Sequence, residues 1–264
     1  MSSESKTVNP SHPLAQRLRI VLVGTQHPGN MGSAARAMKT MGLIRLVLVA
    51  PEKAPNAESY ALAAGADDVL GEARTCETLA EAVADCRLVL GCTARSRRVQ
   101  LEELMPRDAA ARSVAQAAGG SEVALVFGRE RTGLTNDELQ LCHASVHIPA
   151  NPDYSSLNLA AAVQVLSYEL RLALLQAGSD GAEPAGSDDP RDLPASHEQM
   201  EGFFAQLAET LDAIDFHKGR APDSAMRKLR RLYLRAGLDA REVRILRGIL
   251  ADTQRMAMLA GSKR

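Results

Sequence analysis

The sequence has few aromatic residues, no long apolar run and no paired cysteines. Aromatic residues make up 3% of its 264 residues and Trp is absent, which argues against a sheet that stacks RNA bases on aromatic side chains. No apolar run approaches the roughly 20 residues of a transmembrane helix, and the polar residues 1–16 lack the apolar segment of a secretory signal. The four cysteines form no CxxC pair, which argues against a zinc ribbon or a disulfide framework. We therefore expect no membrane contact and a reducing, cytoplasmic location.

Charge is unevenly distributed, although the formal net charge is only −1. Residues 218–264 carry 13 Lys and Arg against 4 Asp and Glu, whereas residues 177–201 carry seven acids and one base. A basic module of this kind can bind nucleic acid locally. A pair of helices with charged, solvated faces explains the same composition, so both interpretations stay open.

Short apolar runs alternate with segments of helical periodicity through the first two thirds of the chain. This alternation predicts an α/β fold, in which a parallel sheet is covered by helices on both faces. Ligands bind beyond the carboxyl ends of the strands in such sheets. The predicted strands are residues 19–24, 45–50, 68–70, 87–91, 122–128 and 145–149, and the loops that stand out by composition are residues 24–32, 91–98, 128–134 and 149–157.

Composition divides the chain into four parts. Residues 1–16 are expected to be a disordered tail, and residues 17–176 to be the α/β domain. Residues 177–196 are rich in Gly, Ser, Asp and Pro, which indicates a flexible linker. Residues 197–264 have helical periodicity and predict a small all-α module, in which Gly237 separates two helices.

The loops after the predicted strands carry the residues that are candidates for catalysis or ligand binding. The first loop contains neither GxGxxG nor a P-loop, which argues against a nicotinamide-dependent oxidoreductase and a P-loop enzyme. Three consecutive charges, at residues 129–131, follow a buried strand and are costly there unless they are paired or functional. Ser155 or Ser156 is suited to cap the long helix that begins near Leu157, and such a helix end attracts polar ligands.

The spacing of histidine and cysteine residues suggests one further site, for a metal ion. His143 and His147 are four residues apart, and Cys142 is adjacent to the first. Zinc binding would need these side chains on one face of a helix. The pattern instead begins a strand between the two histidines, so we expect no metal.

Three loop segments, in order along the chain, carry a family resemblance. They are HPGNMGSAARAMKTMGL, LVFGRERTGLTNDEL and IPANPDYSSLNLAAAVQ, each after a predicted strand. They resemble the three motifs of the SPOUT methyltransferases, and more narrowly those of TrmJ-type tRNA (cytidine/uridine-2′-O)-methyltransferases. The resemblance is close over about residues 17–175 and looser over the helical C-terminal module.

The resemblance implies a trefoil knot in the α/β domain, an obligate homodimer, and S-adenosylmethionine as the methyl donor. The implied substrate is tRNA, methylated on the ribose 2′-hydroxyl of cytidine or uridine at anticodon-loop position 32. A 2′-O-methyltransferase for another tRNA or rRNA position, or a non-catalytic RNA-binding protein of the same fold, remains an alternative. The implied cofactor contacts are Cys92, Thr93, Ala94, Gly128, Ile148, Ser155, Ser156 and Leu157.

The resemblance also implies the catalytic residues. Arg36 is the central one and reaches the site from the partner subunit. A guanidinium is always protonated in proteins, so we expect Arg36 to hold a phosphate or stabilise an alkoxide rather than act as a base. The remaining catalytic residues are Asn30, which supports the first loop, Glu130, which orders the second with Arg129, and Ser156 and Asn158, which place the nucleotide.

Two basic clusters are predicted to contact RNA phosphates. One follows the predicted strand at residues 87–91, and the other lies on the first basic helix of the C-terminal module. The alternative for the module is that its helices only cover the catalytic dimer. The predicted contacts are Arg95, Arg97, Arg98 and Arg129 in the α/β domain, and Arg227, Lys228, Arg230 and Arg231 in the module.

Overall fold

The computed structural model describes residues 12–94, 101–179, 193–219 and 221–261. Its centre is a parallel sheet that has seven strands in this part of the chain, in the order β3-β2-β1-β6-β4-β7-β5. The strands are β1 (Leu18–Val23), β2 (Arg45–Val49), β3 (Arg74–Cys76), β4 (Cys86–Cys92), β5 (Glu102–Leu104), β6 (Glu122–Phe127) and β7 (Ala144–Val146). The predicted parallel α/β fold is confirmed.

Helices connect the strands and form the C-terminal module. In chain order they are α1 (Pro28–Thr40), α2 (Ala57–Ala63), α3 (Asp67–Gly71), α4 (Leu79–Val83), α5 (Pro106–Ala118), α6 (Asn136–Gln140), α7 (Leu159–Ser179), α8 (His197–Ala213), α9 (Pro222–Ala236) and α10 (Ala240–Gly261). No described helix is both long and apolar enough to cross a membrane. The trefoil knot implied by the resemblance stays a prediction.

The central strands are buried on both faces because alternate side chains point in opposite directions. In β1, Ile20 and Leu22 belong to one core, together with apolar side chains of α1, α5 and α7. Val21 and Val23 belong to the other core, together with residues of α4 and α6. The continuous apolar runs of the sequence therefore correspond to strands covered by helices on each side.

Three strands end side by side and define the functional edge of the sheet. Cys92, the last residue of β4, pairs with Phe127 at the end of β6 and with Val146 at the end of β7. β6 also pairs with β1, so these strands lie where the sheet order departs from the chain order. Loops that follow these strands are brought together beyond this edge, as expected for ligand sites in open parallel sheets.

The C-terminal module has its own core, which contacts the α/β domain. Phe203 and Phe204 of α8 are buried with Val243 of α10, and Phe203 meets Tyr233 of α9 edge to face with 4.8 Å between the ring centroids. The backbone N–H of Glu198 donates to the carbonyl of Ala84 in the α/β domain at 3.0 Å. The predicted break at Gly237 is confirmed, since this residue ends α9 with a φ of +65°.

Several predicted boundaries are wrong. Disorder was expected over residues 1–16, but Pro13–Arg17 forms a 3-10 helix, in which Ala15 is buried in the main core. The linker was expected from residue 177, but α7 continues to Ser179 because Ala177 still packs on that core. Residues 68–70 lie in α3 rather than in a strand, with Val69 and Leu70 facing the core.

Candidate active site

A cavity of about 190 Å³ lies at the carboxyl ends of β4, β6 and β7. Its floor includes Phe127 and Val146, the last residues of β6 and β7, and its rim includes the exposed Arg131 and Thr132. All eight residues predicted to contact the cofactor line this cavity. They are Cys92, Thr93, Ala94, Gly128, Ile148, Ser155, Ser156 and Leu157.

The second motif folds into a tight turn that only glycine permits at its start. A Cβ at Gly128 would lie 2.2 Å from both the carbonyl carbon of Gly133 and the amide nitrogen of Leu134. The amide of Gly133, which has a φ of +67°, donates to the carbonyl of Arg129 at 2.8 Å. The backbone therefore doubles back on itself beside the cavity, at a distance that a side chain at residue 128 would prevent.

Glu130 joins this turn to the first motif. Its carboxylate accepts hydrogen bonds from the Asn30 side-chain amide at 2.9 Å and from the backbone N–H groups of Gln26 and His27 at 3.0 and 3.2 Å. Burial alone would raise the pKa of Glu130, but these hydrogen bonds outweigh it and the pKa is lowered. The carboxylate is therefore ionised at neutral pH and is a weak base.

The third motif is connected through Asn30 as well. The Asn158 side-chain amide donates to Asn30 Oδ1 at 3.2 Å, while Asn158 Oδ1 accepts from the backbone N–H of Ala160 at 2.9 Å. Because α7 begins at Leu159, Asn158 caps this helix. The expectation that Ser155 or Ser156 caps it is wrong, because the helix begins later than the sequence suggests.

Arg129 and Glu138 hold the other side of the turn. Arg129 Nη1 lies 3.0 Å from both carboxylate oxygens of Glu138. Glu138 also accepts from the backbone N–H of Thr135 at 2.7 Å, as part of the capping box of α6. The implied roles of Arg129 and Glu130 in ordering the second motif agree with these contacts, whereas RNA binding by Arg129 stays a prediction.

Arg36 lies on the exposed side of α1 and does not line the cavity of its own chain. The small residues around it allow close packing on the opposite side of the helix. A Cβ at Gly32 would lie 1.8 Å from the backbone oxygen of Ser59 in α2. The small-residue run of the first motif thus serves helix packing, while Arg36 on the same helix stays exposed.

The predicted RNA contacts differ in their availability. Arg95, Arg97 and Arg98 lie outside the described residues. On α9, three predicted contacts are exposed to solvent: Arg227, Lys228 and Arg231.

Arg230 must be withdrawn from these contacts. It forms an ion pair with Glu201, lies 4.4 Å above the Phe204 ring, and donates to the Gln140 carbonyl at 3.4 Å. This side chain lies on the side of α9 that packs against α8, so it joins the module to α6 of the α/β domain instead of facing solvent.

Sequence reasoning assigned no role to Arg131 and missed a contact of His147 near the cavity. Arg131 lines it, and its position between Glu130 and Gly133 of the second motif was a usable signal. His147 Nδ1 lies 3.4 Å from the Thr93 carbonyl, which joins two of the loops that follow β4 and β7. Periodicity carries no signal for this contact, since it depends on strands that are not adjacent in the chain.

Two thiols lie near the site, Cys92 partly buried and Cys142 buried. Burial raises the pKa of Cys92 far above its usual range, so the cavity presents a neutral thiol. His143 Nδ1 accepts from the backbone N–H of Val89 at 3.0 Å. Within the described ranges, no three His, Cys, Asp or Glu side chains are grouped so that they could hold a metal ion. The expectation that no metal is needed stays a prediction.

Comparison with known proteins gives the same assignment for both parts of the chain. Residues 17–168 match the SpoU rRNA methylase family, and residues 198–262 match the C-terminal domain of the tRNA methyltransferase TrmJ. The chain is 52% identical over 241 residues to the tRNA (cytidine/uridine-2′-O-)-methyltransferase TrmJ of Escherichia coli K12, an alignment that covers 91% of this chain and 96% of the relative.

Solved structures agree. The crystal structure of TrmJ from Z. mobilis ZM4 has a TM-score of 0.74 and 36% identity, and the match covers 89% of this chain and 97% of the other. A probable methylase family protein from Haemophilus influenzae has a TM-score of 0.59 and 45% identity, with 92% and 98% covered. The chain therefore belongs to the SpoU methylase family and, through its C-terminal domain, to the TrmJ-type methyltransferases within it.

Proposed function

We propose that this protein transfers a methyl group from S-adenosylmethionine to the ribose 2′-hydroxyl of cytidine or uridine at position 32 of the tRNA anticodon loop. One observation carries the proposal. The eight residues expected to bind the cofactor surround a single cavity, and Glu130 on its wall is hydrogen-bonded to Asn30, which is in turn bonded to Asn158. The similarity to tRNA (cytidine/uridine-2′-O-)-methyltransferases supports the acceptor chemistry.

The cavity suits this methyl donor. Apolar side chains such as Ile148 and Leu157 offer surface for an adenine ring, and the glycine-containing turn at Gly128 leaves backbone groups accessible to polar atoms. Cys92 would present a neutral thiol rather than a competing nucleophile, because its pKa is raised by burial. When bound, the donor supplies a methyl group already activated by its sulfonium, so the protein's task is to place the acceptor hydroxyl.

The polar residues next to the cavity would perform this placement. Asn30 and Asn158 are held in a fixed orientation by their hydrogen bonds, so they are suited to orient the 2′-hydroxyl in line with the methyl group. Glu130 is a weak base because its pKa is lowered, and it acts by fixing Asn30. Ser156, on the cavity wall, would place the nucleotide.

Arg36 would stabilise the oxygen as it loses its proton, or hold the neighbouring phosphate. Its side chain is exposed on α1 and does not line its own cavity. In our proposal the active enzyme is a homodimer, and Arg36 of one subunit completes the site of the other. The exposed cations Arg227, Lys228 and Arg231 would contact tRNA phosphates and position the anticodon loop. An enzyme with this substrate would act in the cytoplasm.

Methylation mapping on tRNA tests the proposal. The 2′-O-methyl group at position 32 should disappear in cells that lack the protein, and purified protein with S-adenosylmethionine should restore it on the isolated tRNA. Loss of a 2′-O-methyl group at another tRNA or rRNA position would change the proposed substrate, while the proposed methyl transfer to a 2′-hydroxyl would stand. Cofactor binding without methyl transfer to any RNA from these cells would instead favour a non-catalytic RNA-binding protein.

A further inference from the structure

The turn of the second motif presents one side chain, Arg131, in a defined position at the cavity rim. The residues before and after it in the turn are anchored. Arg129 is paired with Glu138, and the backbone N–H of Gly133 donates to the Arg129 carbonyl. Glu130 is held by Asn30 and by two backbone N–H groups. The backbone that carries Arg131 is therefore fixed before any ligand arrives, which lowers the entropic cost of binding through this side chain.

The electrostatics of the cavity single out the same residue. Among the residues that the structure describes, three charged ones line it: Arg129, Glu130 and Arg131. The first two have their charges satisfied by Glu138 and by the Asn30 cluster. Arg131 is exposed, and within the described parts of the chain no hydrogen bond or ion pair engages its guanidinium. Of the described residues that line the cavity, Arg131 thus carries the one positive charge that is not compensated.

We propose that Arg131 binds an oxyanion at the mouth of the cavity. A guanidinium matches the two oxygens of a carboxylate or a phosphate with a planar pair of N–H donors. Under the proposed function, on which this inference rests, two groups offer that chemistry at this place. They are the carboxylate of the amino-acid part of the methyl donor and a phosphate of the RNA next to the reacting ribose.

Calorimetry on the full-length protein with Arg131→Gln tests the proposal, with Arg131→Lys as the variant that keeps the charge. Arg74→Gln is the matched control, because Arg74 is an exposed cation on β3, the outer strand of the sheet away from the cavity. The ligands are S-adenosylmethionine, its demethylated product, and 5′-methylthioadenosine, which has the nucleoside and sulfur but no carboxylate. Binding of tRNA is measured with the demethylated product present, at several salt concentrations.

If the anion is the donor's carboxylate, Arg131→Gln lowers the affinity for S-adenosylmethionine and its product by about tenfold and leaves the affinity for 5′-methylthioadenosine unchanged. If it is an RNA phosphate, cofactor affinity is unchanged, tRNA affinity falls about tenfold, and the log–log salt slope drops by roughly 0.7–0.9. In either case Arg131→Lys keeps part of the affinity and Arg74→Gln changes nothing.

The proposal is overturned if Arg131→Gln binds all three small ligands and tRNA as the wild type does. It is also overturned if the variant loses as much affinity for 5′-methylthioadenosine as for S-adenosylmethionine, because Arg131 would then shape the cavity rather than bind an anion. Failure of the wild-type protein to bind S-adenosylmethionine at all is a separate result, which would contradict the proposed function itself.

Discussion

Asn158 and Asn30 are separated by 128 residues of chain, yet the side-chain amide of one donates to the side-chain oxygen of the other at 3.2 Å. Asn30 lies in the first turn of α1, and Asn158 caps α7. Glu130 accepts from the same Asn30 side chain. One asparagine therefore joins the second and third motifs, so a change at Asn30 or Glu130 affects all three loops together.

Replacing Glu130 by Gln should lower methyl transfer about 100-fold, the scale expected when catalytic groups are misplaced by about 1 Å. Gln has one acceptor oxygen and a donor amide, so it cannot accept from Gln26, His27 and Asn30 in the way the carboxylate does. The unfolding free energy should also fall by about 1–3 kcal/mol. Single-turnover rates and thermal unfolding measure the two effects, and equal rates for variant and wild type would remove Glu130 from the positioning of Asn30.

Arg36→Ala should reduce methyl transfer by about 10²–10³-fold while the affinity for S-adenosylmethionine stays the same. The side chain is exposed on α1 and does not line the cavity, so neither the fold nor the cofactor site depends on it. Arg36→Lys should recover little, because an ammonium group lacks the planar pair of donors. A weakened cofactor affinity in either variant would show that Arg36 shapes the cavity instead.

Gly32→Ala should destabilise the fold by about 3 kcal/mol, as overpacking of a tight contact does. The new Cβ would lie 1.8 Å from the backbone oxygen of Ser59, which cannot move without separating α1 from α2. Gly248→Ala is the matched control, since a Cβ there meets nothing within 4 Å and alanine favours a helix by about 0.5–1 kcal/mol. Thermal unfolding should rank the proteins as Gly248→Ala, wild type, then Gly32→Ala.

Stability should fall as the pH drops below about 6.5, the ordinary pKa of histidine. Burial of His143, with the nearby charges of His197, Arg112 and Arg230, lowers its pKa to about 4. Between these values the unfolded chain binds a proton that the folded chain does not, so acid favours unfolding. Below about pH 4 this histidine adds no further loss.

His143→Asn checks this assignment, since an Asn oxygen can replace Nδ1 as the acceptor for the Val89 N–H. Chemical denaturation between pH 4 and 7 should give a shallower pH dependence for the variant. The pH dependence of stability that remains is expected from His197, whose pKa is also lowered by burial. An unchanged slope would show that His143 does not contribute.

The sequence was sufficient for the parallel sheet, because each long apolar run such as residues 122–128 became a strand buried on both faces. It was also sufficient for the cavity, since the loops after β4, β6 and β7 supply all eight residues that were expected to contact the cofactor. Short elements such as α3 and β5 were missed, because five or fewer residues show no clear period.

The orientation of single long side chains on the C-terminal module was not predictable. Arg227, Lys228, Arg230 and Arg231 are similar in the sequence, and composition treats them as one basic cluster. Only the packing of α9 on α8 decides that Arg230 faces Phe204 and Glu201. That contact depends on residues about 30 positions away, which helical periodicity does not describe.

Arg227 and Arg230 therefore offer a matched pair, three residues apart on one helix, that separates RNA binding from packing. Arg227→Gln should change the unfolding free energy by no more than about 0.5 kcal/mol, because its side chain is exposed. If the module binds tRNA phosphates, the affinity of this variant for tRNA falls and its log–log salt slope drops by roughly 0.9.

Arg230→Gln should behave in the opposite way. It removes the ion pair between Arg230 and Glu201 and the contacts with Phe204 and the Gln140 carbonyl, which should cost about 2–3 kcal/mol of stability. At a temperature where it remains folded, its salt slope for tRNA should match the wild type, because its charge is already compensated. If neither variant changes tRNA affinity or salt slope, the module only covers the catalytic domain, and the proposed tRNA contacts on α9 are wrong.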